Sequence, residues 1–178
     1  MRKLPRYITQ EEFEKLFESA GKLNTKNKKE YQLAMLLGFE SGMRISEIVG
    51  LQKKGEWIIN PLSKEQIEDA QIRIIQGKGR KDRIVPRPKR MNENAIKLLP
   101  LKLGRRSLQN LVTNLGLKVL NKSISFHSLR HGFGSHLAGQ NRPLHEIQML
   151  MGHSRLDTTG IYLHANPKAA VDGARSAF

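Results

Sequence analysis

The run YQLAMLLGFESG, from Tyr31 to Gly42, constrains the fold more than any other stretch of this chain. Leu33, Leu36, Leu37 and Phe39 recur at helical spacing and a glycine closes the segment, so it reads as a strongly apolar helix at the centre of a core. Before it, TQEE starting at Thr9 is a capping box with Glu12 in the fourth position. Phe13, Leu16 and Phe17 follow at helical spacing and predict a first helix over 9–20. Directly after Gly42 comes Arg44, then Ile45, Ser46, Glu47, Ile48, Val49 and Leu51, which predict a new short helix. An arginine at such a junction, fixed between two apolar segments, can be aimed rigidly.

Trp57, Ile58 and Ile59 form a short apolar run before Pro61 to which the pattern assigns no role. From Gln66 to Pro86 the residues change character: IEDAQIRIIQ and RIVP are rich in β-branched side chains and flank the polar turn GKGRKD. They predict one small antiparallel sheet whose exposed turn presents Lys78, Arg80 and Lys81, with Gly77 and Gly79 bracketing Lys78 and allowing the loop to swing. Asn92 to Leu99 predicts a short helix stopped by Pro100. Ser107 then reads as the N-cap of a helix with Leu108, Leu111, Val112, Leu115 and Val119 on one face and Gln109, Asn110, Thr113 and Asn114 on the other. The HSLRH and PLHEIQMLMG segments predict two more helices, and a last pair carries Tyr162. The fold class expected is mainly α with a small antiparallel β-sheet, an α+β arrangement with its strands confined to one hairpin region.

The 178 residues suffice for one well-buried core and contain no central break in composition, so residues 1–178 are expected to form a single domain. Without cysteine, neither a disulfide framework nor a thiolate zinc site is available, and a reducing, cytoplasmic setting is expected. No apolar run approaches eighteen residues and the basic start lacks a signal-peptide core, which leaves no expected membrane span. The net charge is +15, and its placement matters more than its size. Residues 1–69 carry 12 Lys/Arg against 11 Asp/Glu, whereas residues 70–178 carry 19 against 5. That asymmetry is the footprint of a face laid against a polyanion, because neutralising phosphates releases condensed counterions.

Within the forty residues from Ser125 to His164 lie an HxxR pair, His127 and Arg130, a Gly-His turn at Gly152 and His153, and Tyr162. These are side chains suited to attack on a phosphodiester without a metal. Arginine can hold a phosphate through two parallel charged hydrogen bonds, histidine moves protons near neutral pH, and a phenol can be a nucleophile. His127 and His131 stand four apart as in a zinc helix, but residue 128 is Ser where HExxH requires Glu, and GKGRK lacks the spacing of a P-loop. His131, His136, His145 and His164 fall outside the set and are assigned to packing or surface. No metal and no cofactor is expected.

The pieces SGMRISEIVGL around Arg44, GKGRKDRIVP around Lys78, HSLRH at 127–131, LMGHSRLDTT around His153 and IYLH around Tyr162 resemble, in that order, the catalytic domain of the tyrosine recombinases, the phage integrase and Xer-type family. Taken singly, an arginine after a helix, a capping histidine or a half-buried tyrosine is ordinary. Five pieces in one order across residues 41–164 are not. The resemblance implies the family's catalytic-domain fold and site-specific cleavage and rejoining of double-stranded DNA through a 3′-phosphotyrosyl link. It implies that Tyr162 attacks, that Arg44, Arg130 and His153 hold the phosphate oxygens, that His127 exchanges the tyrosine's proton and that Lys78 protonates the departing 5′ oxygen. Glu47 matches an acidic position of the family and would orient its neighbours. Arg80, Lys81, Arg83, Arg105, Arg106, Gln109 and Asn110 are expected to meet DNA. The resemblance further implies a protein that is monomeric alone and assembles as a tetramer on DNA, with the tail 168–178 serving self-association. The family's N-terminal DNA-clamping domain is expected to be absent, since only about forty residues precede Arg44. Two other readings compete: DNA relaxation of the type IB topoisomerase kind, and a truncated, non-catalytic DNA-binding module.

Overall fold

The computed structural model describes residues 7–75 and 82–152. Helix α1 spans Gln10–Gly21, and its first turn is closed by the expected box: the Glu12 N–H donates to Thr9 Oγ1 at 3.3 Å and the Thr9 N–H to Glu12 Oε2 at 3.2 Å. Helix α2, Lys28–Glu40, is buried without interruption from Leu33 to Phe39, as a helix enclosed on all sides must be. It ends at Gly42, which takes φ 64° and lets the chain fold back so that the Met43 N–H donates to the Leu37 carbonyl at 3.1 Å. Helix α3, Ile45–Val49, starts directly after Arg44.

Residues 51–59 form a hairpin that the sequence pattern leaves unassigned. Strand β1, Leu51–Lys53, pairs antiparallel with β2, Glu56–Ile59, across the two-residue turn Lys54-Gly55, both at positive φ. The second hairpin, β3 (Gln71–Ile74) with β4 (Arg83–Pro86), is the expected one, in the register Ile72↔Val85 and Ile74↔Arg83. The described residues therefore contain two small antiparallel sheets, correcting the expectation of strands in one region only.

Helix α4, Glu93–Ile96, is capped by Asn92, whose side chain accepts from the Ala95 N–H at 3.0 Å. Helix α5 spans Arg105–Leu120 with Gly104 as its N-cap, so it begins three residues earlier than the Ser107 cap implies. Ser107 instead shares a 2.8 Å hydrogen bond with the Tyr31 hydroxyl, linking α5 to α2. Helices α6, Phe126–Gly139, and α7, Leu144–Met151, complete the described order. Among the described residues no helix is long and apolar enough to cross a membrane.

The central crossing is α2 against α6, where glycines let the backbones close up. A Cβ on Gly132 would sit 2.6 Å from the Phe39 ring and 2.8 Å from the Ile8 carbonyl oxygen, and one on Gly38 would sit 3.0 Å from the Phe126 ring. Phe39 in turn stacks on Phe13 of α1 at 4.2 Å between ring centroids. This packing locks α6, and with it the HxxR pair, against the end of α2 where Arg44 departs. A smaller cluster of Phe133, Ile147 and Met151 seats α7 on α6.

Candidate active site

Arg44 occupies the N-cap position of α3, and Glu47 reaches back to it. The Arg44 backbone N–H donates to Glu47 Oε2 at 2.7 Å and its Nη1 to Glu47 Oε1 at 2.8 Å. The Glu47 carboxylate therefore satisfies a helix-start donor and fixes the guanidinium at the same time. Arg83, from β4, approaches the same carboxylate as a fork, with Nη1 to Oε1 and Nη2 to Oε2, each 2.8 Å.

Arg130 lies one helical turn beyond His127 on α6, so both project from one face. It is buried, 1% exposed, and donates to the carbonyls of Gly42 and Met151. The end of α7 is thus met by three arginines from three parts of the fold. Arg83 Nε donates to the Leu150 carbonyl at 2.8 Å, Arg130 Nη2 to that of Met151, and Arg44 Nη2 to that of Gly152 at 3.2 Å. Carbonyls at a helix C-terminus lack partners within the helix and carry its partial negative charge, so cations are the natural groups to cap them. The result is a rigid basic cluster at the point where the chain leaves α7, immediately before His153. The Arg44 side chain remains 30% exposed, open to an anion from solvent.

Burial first, then the charges of Arg130 and Arg44, push the His127 imidazole below its ordinary value of 6.5. His131, four residues on, packs edge-on to it with ring centroids 4.4 Å apart. Burial, with the charges of His127 and Arg130, pushes His131 down to about 4. Both rings are therefore neutral near pH 7, the state in which His127 can accept a proton.

Burial would raise the Glu47 carboxyl, but the hydrogen bonds and charge of Arg83, with the N–H and charge of Arg44, hold it at about 2. Its folded value lies below the 4.5 of a free side chain, so the ion pair stabilises the fold above pH 4.5 and that contribution is lost as pH falls toward 2. Glu47→Gln is accordingly expected to cost about 3 kcal/mol at pH 7 and clearly less at pH 3. Urea unfolding of both proteins at the two pH values checks this; an equal penalty at both would show that the carboxylate's charge is not what matters.

Of the catalytic residues expected from sequence, Arg44, His127 and Arg130 are described, and both arginines lie close enough to His127 to depress its pKa. Lys78, His153 and Tyr162 lie outside the described residues, as do Arg80, Lys81 and the tail 168–178. The residues expected to meet DNA divide. Arg105 and Arg106, in the first turn of α5, are exposed, as is Asn110. Gln109 is half-buried and turned inward, its Oε1 accepting from the Phe126 N–H at 3.3 Å and its Nε2 donating to Thr113 Oγ1 at 3.3 Å. Arg83 is buried, its guanidinium committed to Glu47 and to Leu150. Its expected place on a DNA-facing surface is therefore corrected. The signal that finds it is the period-2 alternation of β4, which puts Arg83 on the same face as buried Val85.

The family model described as "Phage integrase family" matches residues 6–109 and 101–169. A tyrosine recombinase of Thermosipho africanus is 29% identical over 98% of this chain and 62% of its own length. Tyrosine recombinase XerC of Pseudomonas fluorescens is 32% identical over 75% of this chain and 47% of its own. This chain thus spans about half to three-fifths of these curated relatives. Among solved structures, the XerH site-specific recombinase bound to palindromic difH substrate in a post-cleavage complex superposes with a TM-score of 0.74, at 26% identity over 98% of this chain and 53% of that one. The catalytic domain of bacteriophage HP1 integrase shares the fold with a TM-score of 0.61 over 93% of both chains.

Proposed function

The chain belongs to the phage integrase family of tyrosine recombinases, and on that premise we propose that it is a catalytic domain that cuts and rejoins double-stranded DNA at specific sites. The observation that carries the reading is the convergence of Arg44 and Arg130, both braced by backbone carbonyls, beside a neutral His127. Arg44, 30% exposed, is open to a phosphodiester and would neutralise the charge that builds on its non-bridging oxygens, with the buried Arg130 adding its fixed charge beside it and no rearrangement needed at the moment of reaction.

In the proposed step the Tyr162 Oη attacks phosphorus, the bond from phosphorus to the 5′ oxygen breaks, and the DNA is left joined through its 3′ phosphate to the tyrosine. The phenolic proton passes to His127. A phenol of pKa about 10 is only ~0.1% ionised near pH 7, so this acceptor and the polarised phosphate are both needed. The 5′ oxygen leaves with a proton from Lys78, and His153 adds a hydrogen bond to the phosphate. Rejoining is the reverse, with a 5′ hydroxyl attacking the phosphotyrosine, and the energy of the broken bond is conserved. Arg105, Arg106 and Asn110 offer an exposed polar edge on α5 for the duplex, and assembly of copies on DNA would pair two sites.

The test is a duplex nicked beside the candidate site, so that the 5′ product diffuses away and the covalent complex accumulates. An adduct that survives denaturation and depends on paired specific sites is expected. Relaxation of supercoils without site preference would favour the topoisomerase reading, and binding with no adduct would favour a non-catalytic module. Lys78→Ala is expected to slow cleavage about 100-fold or more while DNA affinity stays near the parent's, because a leaving-group acid acts only in the transition state. A sulfur in place of the bridging 5′ oxygen leaves without a proton and should restore the rate; no restoration would point to another acid.

A further inference from the structure

Strand β4 inverts the usual rule of burial: Arg83 is 8% exposed while its neighbour Ile84 is 48% exposed. Registering the strand the other way would bury the isoleucine and free the arginine, so the fold holds this cation inside against the hydrophobic preference. What it touches explains why. Both Glu47 oxygens take one Nη each, and the Leu150 carbonyl takes Nε, so a single guanidinium joins β4, α3 and the last turn of α7.

The surroundings are shaped to keep it there. Gly152 has φ 60°, and a Cβ on it would sit 2.8 Å from Arg83 Cδ and 3.2 Å from Nε, so the arginine stem lies directly against the turn that closes α7. Ser41 at the end of α2 donates to the Pro86 carbonyl at 2.7 Å, pinning β4 beside the chain that leads to Arg44. Glu47, the shared partner, also holds Arg44 through its backbone and its side chain.

We infer that Arg83 is a positioning residue for phosphate binding: its fork orients Glu47, Glu47 aims the partly exposed Arg44, and Nε sets the end of α7 from which Arg44 takes its carbonyl support. Its part in cleavage rests on the recombinase reading, whereas the aiming of Arg44 does not. Arg83 does not touch the phosphate. Lysine keeps the positive charge but has one nitrogen centre where three bonds diverge, so it cannot reproduce the fork.

Arg83→Lys is therefore expected to fold, to bind DNA near the parental affinity and to cleave the nicked duplex about 100-fold more slowly at saturating protein, the scale of loss when a reacting group is misplaced by about an ångström. On an Arg44→Ala background the same change is expected to add nothing, since its effect runs through Arg44. A further loss of similar size on that background, or parental cleavage by Arg83→Lys itself, overturns the inference. A second variant covers the case in which a buried Glu47 without its fork fails to fold. Arg83→Met with Glu47→Leu replaces the pair by apolar groups, a change such sites commonly tolerate, and is expected to be folded yet slow. Recovery of the parental rate in this stable double variant would mean that Arg83 serves only the fold.

A third readout needs no DNA chemistry. The Nη–H signals of Arg44 in nitrogen-15 spectra of the free protein should be sharp in the parent, where Glu47 and Gly152 arrest the group, and broadened in Arg83→Lys. Should the parent form no covalent adduct, the recombinase reading fails, while these signals still decide the aiming of Arg44. Signals unchanged by the substitution overturn it.

Discussion

Arg130→Ala is expected to lose more than 1,000-fold in cleavage rate and about 3 kcal/mol in stability, the two losses arising from different contacts of one side chain. The stability term comes from the Gly42 and Met151 carbonyls, which are left buried without their charged donor, together with the space the side chain vacates. The catalytic term comes from losing a fixed cation at the phosphate. Arg130→Lys separates them: an ammonium keeps the charge but cannot span two carbonyls in a buried site, so it should recover part of the stability and little of the rate. Cleavage per folded molecule, at a temperature where both variants remain folded by circular dichroism, is the relevant measurement. Parental cleavage by a folded Arg130→Ala protein would remove the arginine from the phosphate site.

The parts of this molecule that were legible in its sequence are those decided locally. The Thr9 and Glu12 box, the glycine-closed helix through Leu33 and Phe39, and the His127 and Arg130 spacing on one helical face all depend on residues within a turn or two of each other. The β1–β2 hairpin leaves little mark in the sequence because its strands are three and four residues long and its turn is Lys54-Gly55, without the asparagine or aspartate that usually marks a two-residue turn. The start of α5 is likewise not fixed by its nearest residues. A cap hydroxyl is a local signal, but Gly104 caps the helix and the Ser107 hydroxyl is engaged with Tyr31, seventy-six residues away in the chain. The burial of Arg83 is not legible locally because it is decided by Glu47, thirty-six residues earlier, and by a carbonyl sixty-seven residues later. A basic string read along the chain looks like a surface; only tertiary pairing turns one member inward. The same applies to the three carbonyls at the end of α7, since backbone groups leave no mark in a sequence.

Tyr162→Phe is expected to abolish the covalent adduct entirely while leaving folding and DNA affinity near those of the parent. Phenylalanine keeps the ring and its packing and removes only the oxygen that would form the bond, so binding and chemistry are separated by one atom. No other tyrosine is placed to substitute. Tyr31 is held in α2 with its hydroxyl committed to Ser107 at 2.8 Å, and Tyr7 lies at the start of the described chain, 42% exposed, ahead of α1. The adduct formed by the parent should be 3′-linked and should persist in the presence of a chelator, since the proposed charge neutralisation comes from Arg44 and Arg130. Mixing Tyr162→Phe with Arg130→Ala protein tests whether sites are shared between copies. One partner then supplies a complete phosphate grip and the other a nucleophile, so recovered cleavage means that the tyrosine acts on its neighbour's site, and no recovery means that each copy uses its own. A Phe variant that still became attached to DNA would place the nucleophile on another residue, and the roles given to His127 and Lys78 around that oxygen would fall with it.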